Sequence, residues 1–345
     1  MKHLTLNPAH AIPPTRDAPR DHPQASELPP PKEVKVQPQS GGGTEAGDNN
    51  AGLMFVGTAT TILEWEEVRI MTDPNFLHAG DHVHLGPGVT GTRKTNPAIE
   101  LHDLPRIDLI CLSHYHADHF DAKVESSLRR SLPIITTPHA KSHLASKGAG
   151  EAFTAVHDLD FFDDILVDIA GSEKKAAVKV TGMPGKHVPP GVLGTLNDLV
   201  EAVPPTNGWM MELGYKQNDN IDSFKCGYRI YISGDTLLVP ELKEIPKRYA
   251  GQNIDLMLIH LGGTTIPSPS VPLLMVTMDA EQGLGLVKLV DPDLTIPIHY
   301  DDYDVFLSPL DDFKKKMEEA GLGDKVVYLD RKDRYDFTVR DRRVE

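Results

Sequence analysis

The stretch ICLSHYHADHF, Ile110 to Phe120, sets three histidines and an aspartate within six positions directly behind an apolar run. A buried imidazole costs free energy unless it finds a partner, and crowded imidazoles repel one another once protonated. A chain that folds with His114, His116, Asp118 and His119 side by side therefore calls for a cation among them. In an extended segment residues two apart point the same way, so His114 and His116 face one point in space. If the chain then turns into a helix, Asp118 and His119 project to an adjacent point, and two neighbouring metal ions would satisfy both pairs. Zinc takes imidazole nitrogen and carboxylate oxygen at about 2.0–2.2 Å. The competing readings are a set of surface histidines or a structural zinc. Structural sites, however, favour cysteine and close their coordination shell.

Four ligands from one loop are too few for two ions, so others must come from distant strand ends. KVTGMPGKHV places His187 a few residues past a strand, YRIYISGDT places Asp235 at the close of an apolar strand, and LTIPIHYDDY places His299 at the end of another. A loop residue carried on a rigid strand end is the usual position for function. His139, His143 and His157 compete with His187, but TPHAKSHLASKG reads as a helix carrying the first two on its surface or at its start. Asp235 could instead cap the turn that follows it. His260 in IHLGGT is either a hydrogen-bonded core histidine or a functional one. His78, His82 and His84 lie in a glycine-rich loop, a poor platform for a metal but a plausible contact for substrate. Asp301 and Asp302 either steer His299 or face solvent.

Composition narrows the partners. The chain of 345 residues carries 35 Lys+Arg against 50 Asp+Glu, a net charge of −15, which is ill suited to nucleic acid. Two cysteines, Cys111 and Cys226, imply no disulfide framework. The N-terminus has no secretory h-region and no apolar stretch is long enough to span a membrane, so a reducing cytosol is the expected compartment. A homo-oligomer is left open.

Residues 1–50 are rich in proline and close on SGGGTEAGDNNAG, and they are expected to form a flexible arm ahead of a domain over 51–345. LMFVG, TATTILEW and VRIMTDP read as short strands, followed by a long glycine-rich loop from Phe76 to Pro97. IDLICLS, PIITT, AVKVTGM, GWMMELGY, YRIYISG, IDLMLIH and LTIPIH read as further strands. MDAEQGLGLVKLV has helical periodicity. SPLDDFKKKMEEAGLG reads as a helix with Ser308 at the N-cap, Pro309 at the first helical position and Gly321 as terminator. The pattern predicts an α/β layered fold, a sheet-rich core covered by helices.

HYHADH followed in order by His187, Asp235 and His299 resembles the metallo-β-lactamase superfamily. TATTILE, MTDP, GDT, LGGT, TMDAEQ and PIHY resemble the branch that holds ascorbate-6-phosphate lactonase and N-acyl-phosphatidylethanolamine phospholipase D. The resemblance runs from about residue 53 to the C-terminus and implies an αββα sandwich with a dinuclear site at one edge. It implies His114, His116 and His187 on a first metal, Asp118, His119 and His299 on a second, and Asp235 bridging both. Zinc is the expected ion, with manganese or iron as alternatives, and Asp73 is expected to orient a ligand imidazole. Two departures bear on the substrate: Tyr115 replaces a small polar residue, and His260 stands where an apolar one is usual. The implied activity is hydrolysis of a small ester, lactone or amide by a bridging hydroxide. Asp118 would aim the hydroxide, and His260 or Tyr300 would supply the leaving-group proton. A phosphodiesterase, for which Arg93, Lys94 and Lys186 are the nearby cations, and an iron-dependent oxidoreductase are the alternatives.

Overall fold

The computed structural model describes residues 1–8, 15–17, 24–36, 49–86, 89–188, 203–268 and 271–343. Two large sheets face one another. The first runs β1 (Lys2–Leu6), β11 (Asp164–Ile169), β12 (Ala176–Pro184), β13 (Asn207–Lys216), β14 (Phe224–Ile232), β15 (Leu256–His260) and β18 (Leu294–Ile298). The second runs β10 (Val156–Asp158), β9 (Ile134–Thr136), β8 (Leu109–Cys111), β5 (Val68–Thr72), β4 (Thr60–Trp65), β3 (Ala51–Gly57), β19 (Arg334–Phe337) and β2 (Val34–Val36). Two hairpins stand apart: β6 (His82–Gly86) with β7 (Val89–Thr92), and β16 (Thr265–Ser268) with β17 (Val271–Met275).

Strand alternation builds the layers. In β15, Leu256 and Leu258 point between the sheets with Ile230, Val178, Phe55 and Leu109, while Met257 and Ile259 point outward. Outside that face lie α3 (Glu244–Arg248), α4 (Ala280–Val290) and α5 (Leu310–Glu319), which bury Leu284, Val287, Phe313 and Met317 against Tyr231 and Met257. The other sheet turns Ile62, Met71 and Ile110 outward, under Val124 of α1 (Ala122–Ser127) and Leu144 of α2 (Pro138–Ala145). The layers are helix, sheet, sheet, helix, the sandwich expected. Among the described residues no helix is long and apolar enough to cross a membrane.

Three local readings need correction. The segment expected to be a flexible arm supplies a strand to each sheet: β1 pairs in parallel with β11, and β2 pairs in parallel with β19. Backbone hydrogen bonding at an open sheet edge orders these short runs even though they bury few apolar side chains. Within the Phe76–Pro97 loop lies the β6–β7 hairpin, which buries Val83 and Leu85 against Tyr303 and Val305. The α5 helix begins one residue later than predicted, with Pro309 at its N-cap. Ser308 Oγ instead accepts the Ala280 N–H at the start of α4. Gly321, at φ +70°, ends α5 as expected.

Candidate metal centre

Five strands deliver their C-terminal ends to one rim of the sandwich. β5 and β8 are parallel neighbours, as are β14, β15 and β18, and β12 runs with them through two antiparallel steps. Asp73 follows β5, the histidine-rich turn follows β8, His187 follows β12, Asp235 follows β14 and His299 follows β18. Asp73 at φ +33° and His299 at φ +60° take left-handed backbone that side-chain-bearing residues rarely adopt. Such conformations persist where the surrounding fold holds them in place, often at functional sites.

Four of the imidazoles are held through Nδ1, with Nε2 facing inward. His187 Nδ1 donates to the Val276 carbonyl at 3.0 Å, and His299 Nδ1 donates to the Leu261 carbonyl at 3.1 Å. His119 Nδ1 lies 3.0 Å from Asp73 Oδ2, and His114 Nδ1 lies 2.9 Å from Ser113 Oγ. This arrangement sets both tautomer and ring direction, as supporting hydrogen bonds do at metal sites. His114 Nε2 then stands 3.1 Å from His187 Nε2, and His119 Nε2 stands 3.1 Å from Asp235 Oδ2. Two nitrogens on one zinc, each about 2.0–2.1 Å from it, are separated by roughly this much. His299 Nε2 is 3.6 Å from both Asp118 Oδ2 and Asp235 Oδ2. His299 Nε2 and Asp235 Oδ1 are buried without a hydrogen-bond partner. A buried acceptor left unpaired is costly, and a cation satisfies it.

Among the described residues the donors form three groups: His114 with His187 and Asp235, Asp118 with His119, Asp235 and His299, and, behind His119, Asp73 with His119 and His260. Asp235 belongs to the first two. His116 lies beside them, half-buried, with its ring centre 5.5 Å from that of His114 and its Nδ1 2.9 Å from Asp118 Oδ1. Nitrogen and carboxylate oxygen donors of this kind fit zinc and similar divalent ions.

Electrostatics at the centre follow burial and mutual proximity. Burial raises the carboxyls of Asp118 and Asp235, yet the adjacent imidazoles hold both well below the usual carboxylate range. Burial, with the neighbouring imidazoles of His116 and His119 adding to it against Asp235, takes His187 down to about 4, from an ordinary value of 6.5. The unfolded chain then takes the proton first, so stability falls as pH drops from 6.5 towards 4. The unfolding midpoint of the chelated protein is expected to decrease between pH 7 and pH 5, and by less in His187→Gln. An equal decrease in the two proteins would place the acid sensitivity elsewhere.

Other expected site residues fall in different places. Tyr300 packs its ring 6.5 Å from Phe55 and donates to the Leu329 carbonyl, lining a separate surface groove with Lys94, Tyr328 and Asp330. It packs into the apolar cluster beneath the helices and is not among the residues lining the cleft. His260 is buried, stacked at 6.1 Å on His119 with Nε2 3.7 Å from Asp73 Oδ2, and does not line the cleft. Tyr115 turns away to Glu125 and stacks on His143, and His139 and His143 lie together on α2. His78 pairs with Glu100 and His82 with Thr92, away from the centre. Asp301 pairs with Arg331 at the surface, whereas Asp302 is fully buried beside Arg93.

Sequence reasoning overlooked Ser113. Its Oγ donates to Asp73 Oδ2 at 2.8 Å and its N–H donates to Asp73 Oδ1 at 2.6 Å, tying the ends of β5 and β8 together beneath His114 and His119. The available signal was its place directly ahead of the histidine cluster.

Known proteins place this architecture in a class. Residues 69–300 match the model of the beta-lactamase superfamily domain, and the chain belongs to that family. The expectation of an enzyme of the metallo-β-lactamase superfamily with a layered α/β fold is met. A UPF0173 metal-dependent hydrolase of Salinibacter ruber is 25% identical over 274 residues, covering 79% of this chain and 95% of its own. Among solved structures, an isothiocyanate hydrolase from gut bacteria of Delia radicum superposes with a TM-score of 0.62 at 16% identity, covering 83% of this chain and 99% of that one. A metallo hydrolase of Ignicoccus hospitalis superposes with a TM-score of 0.55 at 21% identity, covering 84% and 99%.

Proposed function

We propose that the protein is a metal-dependent hydrolase that cleaves a small ester, lactone or amide, using two divalent ions, zinc in the first instance. One observation carries this reading: Asp235 is shared by two inward-facing donor groups at a rim that opens into a cleft. His114, His116 and His187 would hold one ion, Asp118, His119 and His299 the other, and Asp235 would join them. When bound, such a pair supplies Lewis acidity and lowers the pKa of a shared water.

The chain's own residues do the rest. Asp118 lines the cleft as an anion, placed to accept a hydrogen bond from the attacking water and so direct it. Asp73 and Ser113 keep the imidazoles of His119 and His114 from turning. His260 supports His119 from behind and is a positioning residue in this reading, not a proton donor.

A phosphodiester substrate is the weaker alternative, because two of the cations that would receive a phosphate are already engaged and the third, Lys94, lines the separate groove with Tyr300. Arg93 is buried against Asp302, and Lys186 Nζ is paired with Glu241. The test is elemental analysis with a panel of lactones, esters, amides and bis-nitrophenyl phosphate, on native, chelated and reconstituted protein. Two equivalents of zinc with chelator-sensitive ester, lactone or amide turnover are expected. Iron with oxygen consumption, or turnover of the phosphodiester alone, would replace this reading.

A further inference from the structure

Outside the metal centre, α2 carries a second pair of facing imidazoles. His139 and His143 stand four residues apart on this helix, so their side chains lie on the same face, one turn from each other. Their Nε2 atoms are 3.2 Å apart, with ring centres separated by 4.5 Å and planes inclined at 56°. That spacing is close to the 3.1 Å between His114 Nε2 and His187 Nε2 in the centre. Two nitrogens each about 2.0–2.1 Å from one zinc ion are separated by roughly this much. The pair lies outside the three donor groups described above.

The surroundings favour an ion there. The His143 ring stacks on that of Tyr115 at 5.2 Å and 9°, and the Tyr115 hydroxyl donates to Glu125 at 2.9 Å. The stack restricts the rotamers open to His143, so less entropy is lost when an ion draws the two rings together. Thr137 Oγ1 accepts the Ala140 N–H at 3.1 Å and Pro138 opens the helix, which fixes the turn that carries His139. Lys141 and Lys147, the cations along this segment, are each paired with a carboxylate, Asp158 and Glu125 respectively. His143 is exposed and His139 half-buried, which leaves one side of a bound ion to solvent.

We propose that His139 and His143 bind a further divalent ion of the borderline class, zinc, nickel or copper, with water filling its remaining positions. Imidazole nitrogen selects these ions over magnesium and calcium, which take oxygen. Two imidazoles held on one helix face act as a chelate and bind far more tightly than either alone. The inference does not rest on the hydrolase reading: it requires no turnover, and it adds one equivalent to whatever the centre holds. Its rival is a proton shared between two neutral imidazoles, which gives the same spacing with no ion.

Zinc is titrated calorimetrically into protein whose centre is already loaded with zinc, and elemental analysis fixes the starting content. Wild type is expected to take up one further equivalent, and magnesium at the same concentration gives no heat of binding. His139→Ala and His143→Ala each weaken that equivalent at least about a hundredfold, the loss of one arm of a chelate. Both variants keep the zinc already loaded, and His102→Ala, in the turn Leu101–Asp103, binds the added ion as wild type does. No further uptake by wild type, as the shared proton requires, would overturn the inference. So would unchanged uptake in either α2 variant, or loss of the pre-loaded zinc from them.

Discussion

Asp235→Ala is expected, in the two-ion centre proposed above, to release both ions together, with at least about a hundredfold loss of affinity and of turnover. Losing a partner that merely orients a ligand costs 10–100-fold, and a shared ligand contributes more. Asp235 is the residue common to the first two donor groups, 3.1 Å from His119 Nε2 and 3.6 Å from His299 Nε2. His187 belongs to the first group alone, so His187→Ala is expected to deplete chiefly one equivalent. Elemental analysis after dialysis against a weak chelator distinguishes the two variants. Unchanged metal content in Asp235→Ala would end the shared-ligand assignment.

The second large effect lies beneath the site. Asp302 is fully buried and accepts from the Thr58 N–H at 2.8 Å and from Thr95 Oγ1, with Arg93 and Arg331 Nη2 each 2.9 Å away. Burial opposes its ionisation, but the two guanidinium groups hold the carboxyl below its ordinary value. Asp302→Ala leaves Arg93, itself 1% exposed, without its counter-charge. Breaking a buried pair in this way costs about 3–5 kcal/mol. The Thr58 carbonyl accepts the His299 N–H at 2.9 Å, so the damage also reaches this candidate metal donor. The double variant Arg93→Met/Asp302→Leu removes both charges and is expected to recover much of the loss. Urea unfolding midpoints measure both effects, and an unchanged midpoint in Asp302→Ala would show that the pair contributes nothing.

The legibility of the site varied with the range of the interaction. HYHADH was readable because alternation in an extended turn is local, and His187, Asp235 and His299 were readable because each follows an apolar strand. Period-two alternation in LMLIH also puts His260 on the same face as Leu256 and Leu258, between the sheets. Its place behind His119 was therefore implicit in the strand. Tyr300 sits instead in the helix-side apolar cluster and its own groove, because its packing partners, such as Leu329, are distant in the chain and residue types alone do not reveal them. The N-terminal strands escaped notice because their partners, β11 and β19, lie far along the chain.

Residue order by itself determined the layered fold and singled out the candidate metal donors, since hydrophobic periodicity and donor chemistry are properties of short segments. Tertiary structure alone decided that Asp235 stands in two donor groups and that Arg93 is spent on Asp302. Those outcomes depend on which distant strand ends meet at the rim, and pairing across the chain sets that.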